Sequence, residues 1–302
     1  MKRPTRASES GRAYLDLQNR ARAERRSTQE LLTLYVVERW LARLSASPHA
    51  SKFVIKGGML LAAYDARRPT ADLDALARSV ANRPETIVSL VSEIAQLPLN
   101  DGVVYQTSTA SCRVIRDQAV YSGLRIAMDT TISTATVKFR LDINFGDPVT
   151  PEASPVAVPS LRPGLEPVQV LGYPVETILA EKLATAIALG AANTRVRDYT
   201  DIYTLTGRHV ISHSTARRAL VATAAHRGTP VERLSDAIGN FAELRAQAFA
   251  TYRSNLGDVG LQLPSDLPAL ASAVATFADP LAVDVGGALW QPAERRWADL
   301  PN

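Results

Sequence analysis

Lys56-Gly57-Gly58-Met59-Leu60-Leu61 is followed, seven residues on, by Arg68-Pro69-Thr70-Ala71-Asp72-Leu73-Asp74. Working outward, Phe53-Val54-Ile55 reads as a short buried strand, and the two glycines turn the chain into an apolar helix expected to run through Ala62, Ala63 and Tyr64. Backbone N–H groups at such a turn can face phosphate oxygens. Pro69 is expected to end the helix, and Asp72-Leu73-Asp74-Ala75-Leu76 reads as a second strand. Its period of two puts Asp72 and Asp74 on one face and Leu73 on the other. Two carboxylates projecting from a strand end can hold Mg²⁺ beside phosphates, so the combination suits nucleotidyl transfer. Alone, a Gly-Gly pair is usually only a turn, and an Asp-x-Asp usually a solvated strand end; the order and spacing carry the reading. The chain lacks Gly-Lys-Ser/Thr and Gly-x-Gly-x-x-Gly at this point, which argues against a Walker-type ATPase or a dinucleotide-binding protein.

The 302 residues suffice for one large or two modest domains, and 46% hydrophobic with 21% charged residues is an ordinary globular balance. No apolar run approaches the roughly 18 to 20 residues that span a bilayer, and Met1-Lys2-Arg3-Pro4-Thr5 lacks a signal-peptide core, so a cytoplasmic protein without membrane association is expected. The one cysteine, Cys112, excludes an intramolecular disulfide and, in a strand-like run, reads as a packed small hydrophobe. The net charge of +4 is mildly basic, compatible with a polyanionic partner. Lysine occurs only at Lys2, Lys52, Lys56, Lys138 and Lys182, which draws attention to each position that keeps a compact ammonium.

Residues 13–45 read as helical, with Leu31, Leu32, Tyr35, Val36, Trp40, Leu41 and Leu44 at helical spacing. The basic cluster at residues 20–26 reads mainly as a solvated charged face, with contact to RNA phosphates as the alternative. Pro84 opens a further helix reaching Leu97, and residues 112–115, 122–128 and 136–145 read as successive strands. In the last of these, Phe139, Leu141, Ile143 and Phe145 share one face and Lys138, Arg140, Asp142 and Asn144 the other. Asp142 is thereby a candidate third carboxylate, the alternative being an ordinary half-exposed strand. Six prolines from Pro148 to Pro167 suggest an irregular bridge between domains. Beyond it, residues 174–187 form an apolar helix carrying Glu181 and Lys182; another starts near Thr194 with Arg195, Arg197, Asp198 and Asp201, and helices continue from Thr215 to Ala278. Trp290 and Trp297 are expected to anchor the tail.

Three segments together resemble the AbiEii-type nucleotidyltransferases of bacterial abortive-infection and toxin–antitoxin systems, which include the MenT toxins. They are Phe53-Val54-Ile55-Lys56-Gly57-Gly58 through Arg68, Thr70, Asp72-Leu73-Asp74; Ala180-Glu181-Lys182-Leu183-Ala184; and Asn193-Thr194-Arg195-Val196-Arg197-Asp198-Tyr199-Thr200-Asp201. The resemblance implies an α+β chain: a DNA polymerase β-like nucleotidyltransferase fold, a mixed sheet with helices, followed by a helical C-terminal domain. It places the catalytic domain with its N-terminal helices at residues 1–165 and the mainly helical domain, contributing Lys182 and Asp198 to the site, at residues 166–302.

The resemblance further implies a toxin that transfers a nucleoside monophosphate from an NTP, with CTP favoured, to the 3′ acceptor end of tRNA, blocking aminoacylation. Mg²⁺, or Mn²⁺ in its place, is the implied cofactor, and a winged-helix or other antitoxin encoded nearby the implied partner. On this reading Asp72, Asp74 and Asp142 hold metal, and Lys56, Gly57, Gly58, Arg68, Thr70 and Arg197 bind nucleotide. Lys182 and Asp198 join the catalytic set, with Glu181 and Asp201 as further candidates. Arg197 and Asp201 are also four residues apart on one helix, the spacing of a structural ion pair. The competing readings are the same chemistry on a small molecule or protein, and a non-catalytic module that binds RNA or a partner.

Overall fold

A computed structural model of the chain describes residues 3–117, 121–284 and 286–298. One compact unit takes in the described residues of Met1–Ala63, Arg67–Gly146 and Ser154–Gly172; a second takes in those of Tyr64–Ala66, Asp147–Ala153 and Tyr173–Asn302.

The first unit opens with helices α1 (Glu9–Ala23) and α2 (Thr28–Ala46). The single helix expected over residues 13–45 is therefore two. Arg25 adopts the left-handed conformation, φ 51°, and Ser27 is extended as the N-cap of α2, so the backbone cannot carry the helix through. Strand β1 (Phe53–Lys56) leads into the single turn α3 (Gly57–Leu60) and a 3₁₀ turn at Leu61–Tyr64. This segment stops at Asp65, which takes φ 56°, and not at Pro69. Strand β2 (Leu73–Ala77) follows, then α4 (Pro84–Ala95), the long strands β3 (Val103–Asp117), β4 (Tyr121–Ile132) and β5 (Ala135–Phe145), and the short strands β6 (Ser154–Val158) and β7 (Val168–Gly172).

Among the described residues these strands form one mixed sheet in the order β3-β4-β5-β2-β1-β7-β6. β2 lies parallel to β5 and antiparallel to β1. The proline-rich stretch, expected to be irregular, supplies β6 because β6 is an edge strand, where the missing N–H of Pro155 costs little. One sheet face carries Phe53, Ile55, Leu73, Phe139, Leu141, Ile143, Leu124 and Ile126, all buried. Trp40 of α2 meets Phe53 and Phe139 with ring centroids 5.9 and 5.6 Å away. Each such side chain, fully buried, contributes roughly 1.5–3 kcal/mol, which fixes the strand register and so decides what the opposite face presents.

Charged groups on α2 that are withdrawn from water are matched: Arg43 binds both oxygens of Asp101 at 2.6 and 3.2 Å, and Glu38 accepts from the Leu161 N–H at 2.7 Å. Cys112 is half-buried on β3, where burial raises its thiol pKa, as suits a packed side chain.

The second unit is mainly helical: α5 (Val175–Leu189), α6 (Val196–Thr206), α7 (His213–Arg227), the short α8 (Leu234–Ala237), α9 (Phe241–Asn255) and α10 (Leu267–Ala278). A small antiparallel sheet joins β8 (Ile211–Ser212), β9 (Leu289–Gln291) and β10 (Arg296–Ala298). Trp290 is fully buried with its indole N–H on the Thr206 carbonyl at 2.7 Å, and Trp297 donates to the Phe277 carbonyl at 3.0 Å, so both tryptophans pin the tail to this unit. No described helix is long and apolar enough to cross a membrane.

Candidate active site

The sheet face opposite the core holds the charged groups. Lys56 on β1 pairs in register with Asp74 on β2, Asp74 with Asp142 on β5, and Asp142 with Arg125 on β4. Side chains paired in register share a face, so four strands present the row Lys56, Asp74, Asp142, Arg125. Asp72, two residues before Asp74, adds a third carboxylate to the same face. The Lys138, Arg140, Asp142, Asn144 face read from the alternation of β5 is the one that carries this row.

Gly57 closes the row at the turn after β1. It takes φ 68°, and a Cβ built there would stand 2.0 Å from Oδ2 of Asp74. The turn and the carboxylate therefore touch, and only glycine lets them do so. A Cβ on Gly58 would lie 3.0 Å from Arg68 NH1 and 3.0 Å from Thr70 Oγ1, which brings those two side chains onto the turn. Thr70 Oγ1 donates to the Asp72 carbonyl at 3.2 Å, bracing the approach to β2. Because α3 is one turn long, its macrodipole is small, and any phosphate contact here rests on the glycine backbone and on Lys56 and Arg68.

Burial drives the Asp74 pKa up from 3.8 to about 6; Lys56 opposes this, Asp142 and Asp72 add to it, and Arg68 opposes it. Three carboxylates thus repel one another on this face, a situation that a bound cation relieves. Asp72 Oδ1 is buried and accepts no hydrogen bond, with Arg140 NH1 at 3.6 Å. An oxygen-only donor pair with one buried oxygen that accepts no hydrogen bond fits a hard divalent cation such as Mg²⁺ on Asp72 and Asp74.

Asp142 was expected as a third metal ligand, but both of its oxygens are engaged by Arg125: Nε to Oδ1 at 2.6 Å and NH2 to Oδ2 at 2.5 Å. Among the described residues, no group of three or more His, Cys, Asp or Glu side chains is arranged to hold a metal. Arg125 is the site residue that the sequence reading missed. Its signal was a lone charge between Leu124 and Ile126, but its partner is set by strand register, which no local pattern shows.

In the second unit, α5 and α6 bring Lys182, Asp198 and Asp201 together. Lys182 Nζ stands 2.5 Å from Asp198 Oδ1 and 2.7 Å from Asp201 Oδ2. The spacing of three residues puts both carboxylates on one side of α6. Asp201 pairs with Lys182, and Arg197 is exposed. Glu181 points elsewhere, to Arg227 NH2 at 3.1 Å. The basic cluster at residues 20–26 is partly neutralised: Arg20 binds Glu24 at 2.6 Å, and Arg26 binds Glu24 at 3.0 Å and Glu30 at 2.5 Å.

The family model described as "Nucleotidyl transferase AbiEii toxin, Type IV TA system" matches residues 39–277. The chain belongs to the AbiEii nucleotidyltransferase toxin family. Its enzyme class is therefore that of a nucleotidyltransferase, and membership in a type IV toxin–antitoxin family implies a nucleotide substrate and an antitoxin partner. Among solved structures, MenT4, a nucleotidyltransferase toxin of Mycobacterium tuberculosis H37Rv, is similar in fold at a TM-score of 0.54 and 17% identity, over 91% of this chain and 90% of that one. JHP933 from Helicobacter pylori aligns at a TM-score of 0.44 and 16% identity, over 85% of this chain and 93% of that one. No curated protein matches the chain. The AbiEii assignment agrees with the α+β architecture expected from the sequence, a mixed sheet with helices followed by a helical C-terminal region.

Proposed function

We propose that this AbiEii-family chain transfers a nucleoside monophosphate, with CTP the favoured donor, to the 3′-terminal ribose hydroxyl of tRNA in an Mg²⁺-dependent reaction, and so blocks aminoacylation. The observation that carries the site is the contact of the Gly57 turn with Asp74. It sets a backbone turn able to approach phosphates directly against a carboxylate whose neighbours repel it. Asp72 and Asp74 would hold the metal, which supplies positive charge to the phosphate oxygens. Lys56 and Arg68 orient the triphosphate by charge, and the glycine turn excludes side-chain bulk from its path.

Lys182 is assigned to the charge developing on departing pyrophosphate, on the strength of the family resemblance. Its two carboxylate partners hold the ammonium in one place. The tRNA acceptor and an antitoxin of the winged-helix or another class likewise come from the resemblance, with the mildly basic charge of +4 in support of RNA. The experiment is incubation of the purified protein with total tRNA, Mg²⁺ and each α-labelled NTP in turn. Label on tRNA, strongest from CTP, is expected; label on the protein itself or none on RNA would contradict the assignment.

A further inference from the structure

Asp142 occupies the place from which a third carboxylate would reach an ion shared with Asp74, directly beside it in the parallel register of β2 and β5. Its oxygens are instead held by the two-pronged fork of Arg125, whose NH2 also lies 3.5 Å from Asp72 Oδ2. One guanidinium thus lies against two of the three carboxylates. This pairing comes from the sheet itself: β4 and β5 set Arg125 opposite Asp142, and buried Leu124 and Ile126 on the other face keep β4 from slipping by one residue. A guanidinium keeps its proton at every physiological pH and satisfies a carboxylate through two parallel N–H bonds. It is a permanent positive charge in a position where a dissociable ion would otherwise sit.

We propose that Arg125 takes the place of a second cation at this face: Asp72 and Asp74 hold one divalent ion, and Asp142 serves as the seat of Arg125, not as a metal ligand. The proposal rests on the nucleotidyl-transfer reading. Asp72 Oδ1, buried and without a hydrogen bond, has Arg140 NH1 at 3.6 Å and is held less tightly than either oxygen of Asp142, and the described residues offer no three-ligand group that would hold another ion. A lysine could not replace Arg125, because its ammonium cannot bridge both oxygens of Asp142 while facing Asp72.

The test counts Mn²⁺ bound per chain by electron paramagnetic resonance, using the full-length protein with a CTP analogue that carries a methylene between the α and β phosphorus atoms. The parent protein is expected to bind one ion. D142N should also bind one, with affinity within threefold of the parent, whereas R125Q frees a third carboxylate and should bind two. Should D142N fail to fold, the double variant R125Q/D142N, which removes both charges together, must give the parent's count and affinity. Two ions in the parent, or a tenfold weaker site in D142N or in the double variant, would overturn the proposal. D72N and D74N separate this from the broader reading: each should weaken Mn²⁺ at least tenfold, and unchanged binding in both would overturn the nucleotidyl-transfer assignment itself.

Discussion

Gly57 and Asp74 are in contact through the space that a side chain on Gly57 would fill, 2.0 Å from the carboxylate oxygen. Gly57→Ala must therefore both hold a left-handed alanine and push the Asp74 carboxylate aside. The expected cost is about 1–3 kcal/mol of stability, together with loss of nucleotide transfer. Gly58→Ala, whose Cβ would stand 3.0 Å from Arg68 NH1 and from Cβ and Oγ1 of Thr70 with no left-handed backbone to hold, should be milder in both respects. Melting curves and transfer rates of the two variants decide this, and equal effects would contradict it.

Asp74 gives a pH dependence of definite sign. Its folded-state pKa of about 6 lies above its ordinary 3.8, so between these values the folded protein holds more protons than the unfolded chain. The stability that Asp74 contributes is full below 3.8 and falls as pH rises through about 6. Asp74→Asn removes this slope and should raise stability at pH 7 by about 1–3 kcal/mol while abolishing Mn²⁺ binding and transfer. Parallel melting profiles of parent and variant from pH 4 to 7.5 would contradict the assignment.

Asp72→Asn should abolish transfer and leave the fold intact, because Asp72 is partly exposed and makes no hydrogen bond through Oδ1. Circular dichroism and single-turnover transfer are the checks. Retained transfer with Mg²⁺ dependence unchanged would remove Asp72 from the site.

Lys182→Ala has two separable effects. Asp198 and Asp201, with side chains only 15% and 4% exposed, lose their shared cation, which costs about 3–5 kcal/mol for a buried pair broken on one side. A catalytic role predicts in addition a loss of roughly 2–4 kcal/mol of transition-state stabilisation. Lys182→Ala/Asp201→Asn should regain part of the stability but none of the rate. A rate within about threefold of the parent, under ~1 kcal/mol, would make Lys182 purely structural.

The glycine turn, the Asp72 and Asp74 pair and the alternation of residues 138–145 were legible in the sequence because each depends on a period of two or on a turn, both local properties. The helices of the C-terminal half were legible from the helical period of about 3.6 residues, which is equally local. Strand β6 was hidden by Pro155, since nothing local tells an edge strand from a loop. The ion pairs were hidden more deeply. Arg125 meets Asp142 across 17 residues through the register of β4 on β5, and Lys182 meets Asp198 and Asp201 through the packing of α5 on α6. Such contacts are decided by the core behind them, which sums over the whole sheet or helix pair.

The most direct test of the proposed acceptor compares intact tRNA with tRNA whose terminal ribose has been opened by periodate, each incubated with the protein, Mg²⁺ and α-labelled CTP. Transfer to a ribose hydroxyl requires label on the intact tRNA alone, extended by one or a few nucleotides at its 3′ end. Equal labelling of the oxidised tRNA, or label appearing on protein, would contradict it.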